Sequence, residues 1–99
     1  MAQKQIIWSK KAEEELIAAL EYYNNRNKST AYSLKLLDRI EQKTELIIKN
    51  NFLGRLAEDG QTRILIVDEF LILYQVEEKH LEVVSFWHNK QNPGKKIDQ

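Results

Sequence analysis

TRILIVDEFLILYQVEEKHLEVVSFWHNKQNP, Thr62 to Pro93, decides the fold. It reads as three short apolar runs, Thr62–Val67, Phe70–Val76 and Leu81–Trp87, rich in Val, Ile, Leu and aromatic residues. Such runs favour extended backbone, where branched side chains pack on a pleated surface. The links Asp68-Glu69 and Glu77–His80 are short enough for hairpins, so the three strands are expected to lie antiparallel. The first two runs are apolar at nearly every position, which predicts cover on both faces: helices on one, a loop or partner on the other.

Working backwards, Asn50-Asn51 closes a helical pattern, and Phe52-Leu53-Gly54 leads into the polar loop Glu58-Asp59-Gly60-Gln61. That helix is capped by Ser29 or Thr30, with an expected apolar stripe of Leu34, Leu37, Ile40, Thr44 and Ile47, widened by Leu36 and Ile48. A first helix starts at the N-cap Ser9 and carries Ala12, Leu16, Ala19, Leu20 and Tyr23 at helical spacing. Glu13, Glu14 and Glu15 suit its positive end and read as solvated. Asn24-Asn25-Arg26-Asn27 reads as the break between the helices, and the short link implies an antiparallel hairpin. Gln3–Trp8 is the expected first strand. The order is β-α-α-β-β-β, an α+β fold with the helical hairpin on one face of a mostly antiparallel four-stranded sheet. One domain over 1–93 and a flexible tail over 94–99 complete the expectation.

Composition narrows the function classes. Ninety-nine residues, 42% hydrophobic and 30% charged, make one soluble globular domain. No apolar run approaches the roughly 20 residues that span a bilayer, and no secretory leader is visible, so a cytoplasmic protein without membrane contact is expected. The absence of cysteine removes disulfides and thiolate chemistry. The net charge is zero: nine Lys/Arg face seven Asp/Glu in residues 1–50, and six face eight in residues 51–99. A globally basic nucleic-acid surface does not follow, because phosphate binding draws on excess positive charge. There is no Gly-rich phosphate loop, His-x-x-x-His pair or serine elbow, so neither metal nor cofactor is expected.

The ordered pattern resembles the RelE/ParE superfamily of toxins from bacterial type II toxin–antitoxin modules. The resemblance is carried by Trp8-Ser9-Lys10-Lys11-Ala12, Phe52-Leu53-Gly54-Arg55, Thr62-Arg63-Ile64-Leu65, Leu71–Val76 with its Tyr74, and the ending Phe86-Trp87-His88-Asn89-Lys90-Gln91-Asn92-Pro93. It covers roughly Ile6 to Pro93; no one motif is specific, but their order is. It implies a growth inhibitor neutralised by a cognate antitoxin, encoded on a plasmid-stabilising or similar module. The superfamily has two trades: RelE-like members cleave mRNA on the ribosome, and ParE-like members inhibit DNA gyrase without nuclease chemistry.

For the nuclease trade the resemblance implies Arg63 and Lys90 on the scissile phosphate and His88 as the proton carrier for attack by the ribose 2′-hydroxyl. Arginine suits the first task because its planar fork donates two hydrogen bonds to phosphate. Histidine suits the last because it titrates near neutrality. Against that stand the ordinary alternatives: an ion-paired Arg63, a solvated Lys90 and a hydrogen-bonded strand-end His88. Tyr74 and Trp87 either stack on a base or pack in the core. The lysine pair of RelE-like sites is absent before Arg63, and no tyrosine follows Lys90. Neutral charge and this incomplete set favour gyrase over mRNA. For the antitoxin, the resemblance and the apolar strands point to Ile64, Ile66, Phe70, Ile72 and Tyr74. A homodimer or a hetero-oligomer with the antitoxin, or a subunit that keeps the fold without toxicity, are the remaining expectations.

Overall fold

The computed structural model describes residues 4–89. Its elements are β1 (Gln5–Trp8), α1 (Lys10–Asn27), α2 (Ala31–Lys49), β2 (Arg55–Leu56), β3 (Thr62–Val67), β4 (Phe70–Val76) and β5 (His80–His88). Lys90 and the expected tail, 94–99, lie outside the described residues.

The sheet has five strands in the order β1-β5-β4-β3-β2, not four. The added strand is β2, two residues long, which pairs antiparallel with β3 through Arg55↔Ile64 and Leu56↔Arg63. Two residues carry no alternation to read, so the segment looked like loop. β3, β4 and β5 form the expected meander. β1 joins the far edge parallel to β5, from Gln5↔His80 to Trp8↔Val83. The β3–β4 turn is made by Asp68 in left-handed backbone (φ 54°), a conformation Asp tolerates better than most residues. Arg39 of α2 reaches this turn with a 2.7 Å ion pair to Asp68.

Both helices lie on one face. Their core joins Ala12, Leu36, Ile40 and Ile47 to Leu65, Val67, Phe70, Ile72, Tyr74, Leu81, Val83 and Phe86. The opposite face carries a smaller cluster of Ala57, Ile64, Leu71 and Leu73, flanked by Val84. This split follows from the two-residue period of a strand: neighbours in β3 and β4 alternate between the clusters. Between Leu73 and Tyr74 the pairing slips, moving from Ser85 to Val83, so Val84 is the extra residue of a bulge.

Both helices begin as expected, α2 also ends as expected at Asn50, and α1 ends differently. The Ser9 hydroxyl accepts from the Ala12 amide (3.1 Å), the usual N-cap bond. The Asn24–Asn27 run, expected to break the helix, is its last turn; the break comes at Lys28, whose left-handed backbone (φ 54°) forms the C-cap. Asn24 is held in the helix because its side chain accepts from buried Ser33 at 2.6 Å. That bond, with a second from Ser33 to the Leu20 carbonyl, turns α2 so that Ser33, Leu36, Ile40 and Ile47 face inward. The expected stripe is therefore displaced: Leu34 is 63% and Leu37 38% exposed. Two overlapping apolar stripes share Ile40 and Ile47, and spacing alone does not choose between them.

Candidate functional site

Arg63 stands at one end of the sheet, opposite Tyr74 on β4 and Leu56 on β2. Its guanidinium Nη1 donates to the Phe52 carbonyl (3.1 Å) and the Gly54 carbonyl (2.8 Å), and Cζ lies 4.9 Å from the Phe52 ring centre. Beside it the buried Tyr74 hydroxyl donates to the Asn51 carbonyl and accepts from the Gly54 amide, both at 2.9 Å. Burial first of all raises the pKa of Tyr74, while the Gly54 bond and the charge of Arg63 oppose the rise. Gly54 is required here by contact: a Cβ would sit 2.8 Å from Tyr74 Cε1 and 3.0 Å from the Ile64 carbonyl oxygen. The Asn51 amide completes the arrangement by donating to the Ile47 and Ile48 carbonyls, which the end of α2 leaves open. Arg63 and Tyr74 thus latch the segment Asn51–Gly54 onto the sheet.

His88 closes β5 at the other end, opposite Phe70. Its ring meets Phe70 edge-on at 5.1 Å, and Nε2 lies 3.8 Å from the Glu69 carboxylate. Both border an open cleft of about 710 Å³ between α1 and the ends of β4 and β5. The α1 wall contributes Glu15, Ala18, Ala19, Tyr22, Tyr23 and Arg26. Arg26 donates to the Tyr22 hydroxyl at 3.5 Å, and Tyr23 packs edge-on against Tyr22 and Phe70. Burial and the negative charge of Glu69 raise the Tyr23 pKa. Glu15 is turned inward: its carboxylate accepts from the Ser85 hydroxyl (2.9 Å) and the Phe86 amide (3.1 Å). Lys11 donates to the same Ser85 hydroxyl and lies 5.7 Å from the Trp87 ring centre.

The strand register keeps Arg63 and His88 apart. Their partners on β4, Tyr74 and Phe70, are four residues distant, about 13 Å along the strand. With β3 and β5 on opposite sides of β4, their Cα atoms are roughly 16 Å apart. Arg63 gives Nη1 to the loop just before β2, the strand on the side of β3 away from β5. Lys90, the third candidate, lies outside the described residues. Of the five residues expected at an antitoxin surface, Ile64, Phe70, Ile72 and Tyr74 are buried within the chain, and Ile66 alone is exposed, at 64%.

Two residues carry more than the sequence suggested. Glu15 falls between Ala12 and Ala19 on the inward stripe of α1, so its helical phase was the available signal. Asp59, expected as a loop residue, accepts from the Thr62 hydroxyl at 2.5 Å and from the Gln61 and Thr62 amides. The Thr62 bond, then the amides, lower its pKa. His80, expected in a turn, starts β5 and faces Glu82 at 3.4 Å. Among the described residues, no three His, Asp or Glu side chains are grouped to hold a metal ion, and no helix is long and apolar enough to cross a membrane.

A family model described as the ParE toxin of the type II toxin–antitoxin system, parDE, matches residues 6–93. The chain belongs to the ParE toxin family. The fold agrees with solved structures. One is a chromosomal ParDE TA system from P. aeruginosa, with TM-score 0.73 and 20% identity over 87% of this chain and 96% of that one. Another is the YoeB dimer from Staphylococcus aureus, with TM-score 0.60 and 18% identity over 88% of this chain and 98% of that one. A comparison with curated protein sequences gave no match. For this ParE-family toxin, the latch explains the Leu53-Gly54 signature: a glycine is needed where the Tyr74 hydroxyl closes on the loop.

Proposed function

We propose that this toxin acts in the cytoplasm by binding a protein target, DNA gyrase, and that a cognate antitoxin neutralises it. The observation that carries the reading is the separation of Arg63 from His88, with Arg63 committed to two loop carbonyls. A phosphate-cleaving site needs its cation and its proton carrier within reach of one phosphate. Across from His88 stands Phe70, which supplies neither. The family description and the ParDE structure support the pairing with an antitoxin. The purified protein is expected to inhibit supercoiling by gyrase and to leave ribosome-bound mRNA uncut. Unaffected gyrase at high toxin excess overturns the reading.

One observation favours a second reading, a metal-independent mRNA endonuclease. His88 borders a cleft whose α1 wall brings Arg26. In that mechanism Arg26 would neutralise phosphate and His88 would move the proton. Growth arrest by His88→Ala and Arg26→Ala toxins equal to wild type, with intact mRNA, removes it. Harmless induction of the wild type would instead mark a subunit that keeps the fold without toxicity.

A further inference from the structure

Asp59-Gly60 is the one step in the sequence where glycine follows aspartate or asparagine. Such a step carries its own chemistry. The Gly60 nitrogen attacks Cγ of the Asp59 side chain, and its proton leaves with the carboxyl hydroxyl as water, closing a succinimide ring. Water then reopens the ring. Attack at the side-chain carbonyl restores aspartate; attack at the main-chain carbonyl leaves isoaspartate. Neither an oxidant nor a second substrate is needed. Glycine favours the step because no Cβ crowds the attacking nitrogen, and around Gly60 no atom beyond its chain neighbours lies within 4 Å of where a Cβ would stand. The reaction requires a nitrogen that can approach Cγ and a carboxyl group in its protonated, electrophilic form.

The fold withholds both. The Gly60 amide donates to the Ala57 carbonyl at 3.1 Å, which holds the nitrogen in the turn. Asp59 Oδ1 accepts from the Gln61 amide (3.0 Å) and the Thr62 amide (2.8 Å), and Oδ2 accepts from the Thr62 hydroxyl (2.5 Å). Aspartate commonly bonds an amide two residues on, so the hydroxyl is the addition here. Thr62 is buried, and Gln75 Nε2 donates to the same Oγ1 at 3.1 Å, so the hydroxyl is itself held in place. The Thr62 hydroxyl first, then the two amides, lower the Asp59 pKa and keep the group ionised. We propose that Asp59-Gly60 is a latent isomerisation site, closed by Thr62 in the folded chain and reactive whenever this loop opens locally. Isoaspartate routes the main chain through the side-chain carbon and lengthens it by one atom. The loop it lengthens is short. It is closed by the Ala57 amide on the Thr62 carbonyl (2.8 Å) and runs straight into β2, which is only two residues long. The modified chain loses that closing bond and, with it, the pairing of β2 with β3.

The test is prolonged incubation of the full chain at mildly acidic pH, folded or unfolded in urea. Isoaspartate at position 59 is scored by resistance to an endoproteinase that cuts before aspartate. The folded wild type is expected to react at least about 30-fold more slowly than the unfolded chain, because only the locally open fraction reacts. Thr62→Val, which lacks the hydroxyl, is expected to react about tenfold faster than wild type when folded, the effect of one lost hydrogen bond to a charged group on local opening. Thr62→Ser, which keeps the hydroxyl, is expected to stay within about twofold of wild type. In modified wild type, hydrogen exchange at the Ala57 amide should be faster than in unmodified chain. Equal rates in folded and unfolded wild type overturn the proposal, whether or not Thr62→Val folds. So does an unfolded chain that forms no isoaspartate at position 59, or a folded Thr62→Val that reacts no faster than wild type. Unchanged exchange at Ala57 overturns the loss of β2.

Discussion

The two ends of the sheet put similar residues to opposite uses. At the β2–β3 end an arginine and a tyrosine turn inward and give their polar groups to main-chain partners from Asn51 to Gly54. At the β5 end an arginine, two tyrosines, two glutamates and a histidine surround open space. The first end is a structural joint that carries exposed apolar side chains; the second is an open cleft lined by titratable ones. Residue type alone does not assign a role. The destination of each donor does: Arg63 gives Nη1 to two loop carbonyls, which fixes its guanidinium beside the loop.

Breaking the joint has the largest expected effect. Gly54→Ala forces a Cβ against the Tyr74 ring and the Ile64 carbonyl, neither of which can yield, and is expected to cost about 3 kcal/mol in urea unfolding. Tyr74→Phe keeps the ring but leaves the Gly54 amide and the Asn51 carbonyl without the hydroxyl. About 2 kcal/mol of stability should be lost, with faster hydrogen exchange at Gly54. Stability should also fall in alkali, with contributions from tyrosines at both ends. Tyr74, Tyr23 and Tyr32 all have pKa values raised above their ordinary 10.0, chiefly by burial. A raised folded-state value means that their contribution is complete below pH 10 and is lost as pH climbs towards the folded values. Unfolding followed from pH 9 to 12 should show this decline, less steep in Tyr74→Phe. The smallest effect sharpens the contrast between the ends. A double-mutant cycle of Arg63→Met and His88→Ala should show coupling within about 0.3 kcal/mol in stability, because groups this far apart do not share partners. Coupling of 1 kcal/mol or more would mean that the two ends act together.

Much of the fold was legible because it rests on long periodic segments. The runs that became β3 and β4 have the bounds that their apolar, β-forming residues and the flanking turn residues predicted, and Ser9 and Asn50-Asn51 mark helix ends by their side-chain chemistry. What escaped has local causes. β2 is too short to show a period. The Asn24–Asn27 run stayed helical because a tertiary bond from Ser33 outweighed the turn preference of asparagine. The stripe of α2 was displaced by the same serine. At the candidate site, chain order placed Arg63 at the start of one strand and His88 and Lys90 just past the end of another without giving the register, and the register separates the first two. Of the five apolar strand positions offered to an antitoxin, four fill the two cores of the chain itself, because apolar runs mark burial without saying by what. The inward turn of Glu15 and the latch at Gly54 depend on contacts across more than ten residues, which spacing does not reveal.

The parallel pairing of β1 with β5 has a consequence in time. Gln5 emerges early from the ribosome, but its partner, His80, is made 75 residues later. Until then Ile6 and Trp8 have no strand beside them, and the helical hairpin lacks most of the sheet on which it packs. Contacts between distant parts of a chain form late and slowly. A chain that stops before β5 therefore leaves β1 without a neighbour and the sheet divided.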